Sequence, residues 1–404
     1  NDPIVFLPGG PGLGGVQAGQ GIEQLFGPMW ADRDIILIDQ RGTGQSNALI
    51  CPQSESSPLA SLGGRGRNEA LACRQALTAK ADLARYTTRQ AVLDMEQVRQ
   101  ALGYRRLDLL GLSYGSRVAL DYLRLFPERV GQTVIRAAAP AAMMLPLHTP
   151  QDAQRSYDTL VRYCQEQADC SARHPDLAGQ LRSIVARLNN GPVSIEVVDP
   201  ANGQPIKAQL DRDGLSTVLF FMLYIPEFYM QLPPLIDAAA RGDLSPLVQA
   251  AAPVILGASG QVAWGLRWSV ICDEDVRRIE PTALARLTQN TFMGADVVKD
   301  DIAACSVWPR ADVGEDYLTP VASHKPVFII SGAMDPVAGK RWGDEVARTL
   351  PNALHVEVDG ASHLPVLPGC TSALTKRFLD GDALEQVDAA CVDQAKRPVL
   401  KIAN

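Results

Sequence analysis

Gly111-Leu112-Ser113-Tyr114-Gly115 is the stretch of this sequence that leaves a fold the least choice. It stands between an apolar run, Leu107–Leu110, and residues 116–126, whose spacing predicts a helix. In a strand–turn–helix setting, G-x-S-x-G makes a turn tight enough to need both glycines and presents the serine at the carboxyl end of the strand. The following helix directs its amino end at that serine, which favours developing negative charge. Ser113 is therefore the candidate nucleophile.

The flanking sequence alternates in the same way. Ile4–Leu7 is a short apolar run entering Pro8-Gly9-Gly10-Pro11-Gly12, and Asp34–Asp39 is a second, ending in the turn Gln40-Arg41-Gly42-Thr43-Gly44. Thr87–Leu102 carries Val92, Met95, Val98 and Leu102 at helical spacing, and Thr133–Ile135 reads as a further strand. From about residue 141 to 320 helical periodicity dominates, in Tyr157–Gln167, Leu177–Leu188, Leu215–Tyr224 and Leu232–Ala240. Recurrent prolines there predict short, broken helices. Buried strands return at Val327–Ser331 and His355–Val358. The expected fold class is α/β: a mostly parallel sheet with helices on both faces. Residues 1–140 and 321–404 would form the sheet domain, and residues 141–320 a mostly helical cap.

Charge and cysteines narrow the setting. Thirty-eight Lys and Arg against 45 Asp and Glu leave a net charge of −7 without a basic block, so nucleic acid is not an expected partner. No stretch reaches the roughly 18 uncharged apolar residues of a membrane-spanning helix. Eight cysteines fall into sequence-local pairs, 51 with 73, 164 with 170, 272 with 305 and 370 with 391, and none has zinc-site spacing. Disulfides between these neighbours, hence a secreted or periplasmic protein, are expected, with buried free thiols as the alternative. The abrupt opening at Asn1, just before a strand, reads as a truncated or processed start.

A serine hydroxyl is a poor nucleophile unless a base takes its proton. In this kind of sheet the acid and then the histidine follow the serine along the chain. His355 and His363 both follow a suitable acid, but His355 falls within a strand, whereas His363 lies in the loop beyond it. His363 is the expected base. Asp335, in the loop after Val327–Ser331, is its expected partner; Asp359 is the alternative and reads more as a turn cap. The oxyanion donors would be the amides of Tyr114 and of the glycine loop, with Gly10 the candidate there. That loop lacks the G-K-[ST] ending of a phosphate cradle. The chemistry calls for no metal and no organic cofactor.

Pro8-Gly9-Gly10-Pro11-Gly12, Asp39-Gln40-Arg41-Gly42-Thr43-Gly44-Gln45-Ser46 and Gly111-Leu112-Ser113-Tyr114-Gly115 together resemble the prolyl iminopeptidase family of α/β-hydrolases. The C-terminal part, with Asp335, His363 and the cysteines at 370 and 391, is similar to the secreted tripeptidyl-aminopeptidase-like branch. The first motif departs from the family in having Leu7-Pro8 where a histidine is usual. The family's two strands before the glycine loop are absent, so the chain is expected to be a fragment or to be completed by another piece.

The resemblance implies a serine exopeptidase that releases one or a few residues from the free amino terminus of peptides through an acyl-enzyme. Such an enzyme needs a carboxylate for the substrate ammonium. Glu274, in Cys272-Asp273-Glu274-Asp275, is the preferred candidate, that run being similar to the branch's cysteine-acidic segment, and Glu227 is the other. Trp264, Trp268, Phe220, Phe221, Tyr224 and Tyr229 are candidate pocket or core aromatics. Two further functions stay open: a carboxylesterase or lipase-like hydrolase with the same three residues, and a catalytically silent hydrolase fold acting as a binding module.

Overall fold

A computed structural model describes residues 2–20, 33–52, 59, 62–63, 66–200, 202–259, 262–367, 369–384, 387, 389–395 and 397–403. Among these residues the strands are β1 (Ile4–Leu7), β2 (Ile35–Leu37), β3 (Leu107–Leu112), β4 (Val130–Arg136), β5 (Val193–Val198), β6 (Pro205–Leu210), β7 (Val327–Gly332) and β8 (Ala353–Val358). Six of them form one sheet in the order β2-β1-β3-β4-β7-β8, parallel throughout.

The apolar runs read as they do because the sheet is buried on both faces. Successive side chains along a strand point to opposite sides. Val5, Leu7, Leu109, Ile135, Val327 and Ile329 join one core with the helices Thr88–Ala101, Tyr114–Leu125 and Lys340–Ala347. Ile4, Phe6, Leu110, Val134, Phe328 and Ile330 join another with the helix Thr371–Leu379. The site described below lies where β3, β7 and β8 end.

Between β4 and β7 the chain is mostly helical, with two departures from the sequence pattern. The helix Leu145–Glu166 runs for 22 residues through Pro150. The missing amide would have paired with Pro146 in the first turns, so one hydrogen bond is lost against a long packed face. The helical reading also omits a hairpin: β5 and β6 pair antiparallel, Val193 opposite Leu210 and Val197 opposite Ile206. Tyr157, Leu160, Leu181, Ile184, Leu215 and Leu219 build this segment's own core. The helices Trp264–Glu274 and Asp296–Cys305 instead send Leu266, Trp268, Ile271 and Ala304 into the core beside the sheet.

All eight cysteines are bridged between sequence neighbours, Cys51–Cys73, Cys164–Cys170, Cys272–Cys305 and Cys370–Cys391. Among the described residues no helix is long and apolar enough to cross a membrane.

Candidate active site

β3 ends at Leu112 and the helix Tyr114–Leu125 starts two residues later, with Ser113 between them at φ 55° and ψ −124°. A side chain rarely holds a positive φ, and here hydrogen bonds on both sides impose it. Ser113 N donates to Arg136 O on β4, and Ser116 N donates to Ser113 O, both at 2.9 Å. Gly115 is where the new helix meets β1: a Cβ there would lie 1.9 Å from Leu7 O. Gly9 crosses directly over the serine, since a Cβ on it would be 3.1 Å from Ser113 Cβ. The glycine loop, with Gly10 next in line, therefore lies against Ser113. Tyr114 opens its helix, so its amide is among those the helix cannot pair internally. The phenol of Tyr114 is buried, 2.9 Å from Thr88 Oγ1 and accepting from Gln40 Nε2 at 3.4 Å.

Asp335 and His363 lie in the loops that leave β7 and β8. These loops are bonded to one another, Ala333 N donating to Val358 O at 3.1 Å and Met334 N to Ala361 O at 2.9 Å. Asp335 Oδ1 accepts from the amides of Val337 and Ala338 at 2.8 and 2.9 Å. A carboxylate held in this way is an acceptor towards His363, whose Nδ1 lies 2.9 and 3.0 Å from its two oxygens. The ring proton is then on Nδ1, and Nε2 carries a lone pair. Nε2 is buried without a hydrogen-bond partner among the described residues. The ring of Tyr224 lies 4.2 Å from the imidazole, centre to centre. The two remaining sequence candidates are engaged elsewhere. His355 spends one nitrogen on Ser331 and the other on Asp344, each at 2.9 Å. Asp359 pairs with the hydroxyl of Tyr163 and with Arg397.

Glu274 is fully buried. Its Oε1 accepts from Thr88 N at 2.6 Å, and Oε2 accepts from Thr88 Oγ1 at 2.8 Å, from the Tyr317 hydroxyl and, at 3.5 Å, from Arg117 Nη1. Burial pushes the Glu274 carboxyl up, and the guanidinium of Arg117 opposes this. Arg117, on the helix behind Ser113, also donates to Ala139 O and Met143 O at 3.2 and 2.7 Å. Glu274 and Asp275 thus join the Trp264–Glu274 helix to the elbow helix through filled acceptors. Glu227 is exposed, three residues beyond Tyr224. Trp264 and Trp268 belong to a stack with Trp308 beside the sheet, and the Tyr229 hydroxyl donates to Gly360 O at 2.5 Å. From sequence, Tyr224 is one of six aromatic candidates, and nothing in its neighbourhood marks it as the one that meets the imidazole.

The structure therefore pairs His363 with Asp335, lays the glycine loop against Ser113, sets both at the carboxyl ends of one parallel sheet, and keeps His355, Asp359 and Glu274 in other networks. A serine hydroxyl, an imidazole with an open Nε2 and an orienting carboxylate can carry out base-assisted attack on a carbonyl carbon. Among the described residues no group of three His, Cys, Asp or Glu side chains converges as a metal site.

Residues 2–175 match the family model described as alpha/beta hydrolase fold, and residues 290–391 the one described as TAP-like protein. The serine protease Hip1 of Mycobacterium tuberculosis (strain ATCC 25618 / H37Rv) is 24% identical over 431 residues, covering 96% of this chain and 80% of that protein. The proline iminopeptidase of Neisseria gonorrhoeae is 31% identical over 134 residues, covering 33% of this chain and 32% of that protein. The tripeptidyl aminopeptidase of Streptomyces lividans is 27% identical over 150 residues, covering 33% of this chain and 27% of that protein. The chain thus spans most of the mycobacterial protease and about a third or less of the two aminopeptidases. The two family matches take in strands from both ends of one sheet, and the chain has the α/β-hydrolase fold, with a match to the TAP-like model in its C-terminal part.

Proposed function

We propose that the chain is a serine exopeptidase that releases one or a few residues from the free amino terminus of peptides. Ser113 Oγ attacks the scissile carbonyl while His363 Nε2 takes its proton, and Asp335 orients the imidazole and balances its charge. The amides of Gly10 and Tyr114 hold the oxyanion. Collapse expels the amine with the proton from His363 and leaves the acyl group on Ser113. Water, giving a proton to His363, then releases the acyl group and restores the serine. One observation supports this above the others: His363 and Asp335 are bonded to one another in the loops after β8 and β7, and Ser113, at positive φ beneath the glycine loop, follows β3 at the same end of that parallel sheet. The peptidase names of the relatives favour peptides as substrates.

An exopeptidase also needs a blocked approach and a carboxylate for the ammonium. Residues 141–320 would act as the cap, which is supported by Leu223 and Tyr224 meeting Ser362 and His363. Glu227 is exposed and open to an ammonium. Glu274 would first have to surrender a bond to Thr88, Tyr317 or Arg117, so Glu227 is the anchor we favour. The disulfides fit a secreted or periplasmic protein.

Hydrolysis of chromogenic Pro, Ala and tripeptide amides, each with a free or an acetylated amino terminus, tests the proposal beside a short-chain ester. Cleavage confined to free-amine substrates and lost in Ser113→Ala is expected. Activity confined to the ester, or indifferent to acetylation, would leave a carboxylesterase or lipase-like hydrolase instead. Silence on every substrate would leave a binding module.

A further inference from the structure

We propose that the side chain of Tyr114 is a positioning group for the oxyanion: a directed chain of hydrogen bonds from its buried phenol through Thr88 to Glu274 aims the Tyr114 amide at the developing charge. This rests on Ser113 being the nucleophile and on that amide being an oxyanion donor, and it holds for an ester as for a peptide. The peptide between Ser113 and Tyr114 carries the amide on one edge and Ser113 O on the other. Ser116 holds the oxygen, its N donating at 2.9 Å and its Oγ at 2.5 Å. The amide has to stay free for the substrate, so no bond within the protein can aim it directly. The side chain on the same Cα can.

The direction of each bond in the chain follows from its end. Glu274 is fully buried, and Thr88 N, Thr88 Oγ1, the Tyr317 hydroxyl and Arg117 Nη1 converge on its two oxygens. It acts as an acceptor, so Thr88 Oγ1 gives it its one proton at 2.8 Å. Thr88 Oγ1 then accepts from the Tyr114 hydroxyl, 2.9 Å away, and that hydroxyl accepts in turn from Gln40 Nε2 at 3.4 Å. Tyr114 and Thr88 are buried as completely as Glu274, so the phenol cannot turn away without stranding a hydroxyl that no water reaches. The helix that ends in Glu274 meets the other proposed donor segment as well. Ala263, just before that helix, donates its amide to Gly12 O in the glycine loop at 2.9 Å. Both arms of the oxyanion site are thus referred to one helix of the segment between β4 and β7.

Tyr114→Phe removes the hydroxyl and keeps the ring. Thr88→Val breaks the next link but keeps the bond from Thr88 N to Glu274, and Thr88→Ser keeps the hydroxyl. The measurement is kcat and KM per serine titrated with a fluorophosphonate, on the best wild-type substrate of the amide and ester panel. The double variant Tyr114→Phe/Thr88→Val completes a cycle. Losing an oxyanion donor outright costs about 10²–10³ in kcat, so a misaimed one should cost about tenfold. Each single variant should show that fall with KM little changed, the mark of an interaction made only in the transition state. Thr88→Ser should rescue the loss seen in Thr88→Val, and the double variant should fall no further than either single one. An unchanged kcat in Tyr114→Phe, a loss confined to KM, or falls that multiply in the double variant would overturn the proposal and leave the nucleophile assignment standing. A wild type that cleaves no substrate, or keeps its activity in Ser113→Ala, would remove that assignment and the proposal with it.

Discussion

Arg117 Nη1 lies 3.0 and 3.2 Å from the two carboxylate oxygens of Asp275, 158 residues further along the chain. Both side chains are buried, at 1% and 0% exposure. The pair ties the helix that follows Ser113 to the end of the Trp264–Glu274 helix, so the elbow is braced from the segment between β4 and β7. Removing one partner leaves a buried charge short of its counter-ion. Asp275→Ala should lower the unfolding free energy by about 3–5 kcal/mol in urea titrations. A loss of less than about 1 kcal/mol, the worth of a surface pair, would contradict the bracing role.

The two carboxylates considered for the substrate ammonium should separate cleanly. Glu227→Gln is expected to raise KM about tenfold for free-amine amides, the loss of roughly one charge-assisted hydrogen bond, and to leave acetylated esters unaffected. Glu274→Gln should lower the melting temperature, because its oxygens accept from Thr88 and Tyr317 and face Arg117, while the preference for a free amine persists. The reverse pattern would identify Glu274 as the anchor.

Asp335→Asn preserves the shape of the acid but permits the wrong imidazole tautomer, with the proton on Nε2. Its kcat should fall by about 10³–10⁴ with KM little changed, as expected when an orienting carboxylate is lost. A fall of less than about tenfold, in steady-state assays at the same pH, would argue that another group orients His363.

Asp273 supplies a test of stability against pH. Its Oδ1 accepts from Ala311 N at 2.7 Å, whereas Oδ2 is buried without a partner among the described residues. Burial pushes the carboxyl from its ordinary 3.8 up to about 6. The folded state therefore binds more protons than the unfolded state between these values, so the Asp273 charge costs stability that grows as pH rises and is complete above about 6. Asp273→Asn should melt higher than the wild type at pH 7, with the advantage shrinking as pH falls from about 6 towards 3.8. An advantage independent of pH would show that the charge is not its source.

The bridges Cys51–Cys73, Cys164–Cys170, Cys272–Cys305 and Cys370–Cys391 leave no thiol free. Alkylation of the unfolded, unreduced protein should add no mass, and alkylation after reduction should label all eight cysteines. Cys272–Cys305 closes the loop next to Asp273, and Cys272→Ala with Cys305→Ala should cost about 2–4 kcal/mol of stability.

The sequence by itself determined what local chemistry can specify. Continuous apolar runs at Ile4–Leu7, Leu107–Leu110 and Val327–Ser331 have no stable place except a strand buried on both faces. Glycines at 111 and 115 allow one kind of turn around Ser113, and the loops after the last strands hold Asp335 and His363 close enough in register to be named. Tertiary structure decided the rest, because it rests on contacts with no local signature. The β5–β6 hairpin is the exception, since Val193-Ser194-Ile195-Glu196-Val197 and Ile206-Lys207-Ala208-Gln209-Leu210 alternate apolar and polar residues, a strand signal that the helical periodicity on either side masks. A carboxylate such as Glu274 looks the same in sequence whether it meets solvent or lies buried against Thr88, Tyr317 and Arg117. The meeting of Tyr224 with His363 joins residues more than a hundred positions apart, and helical periodicity can say that an aromatic points inward but not what it will touch.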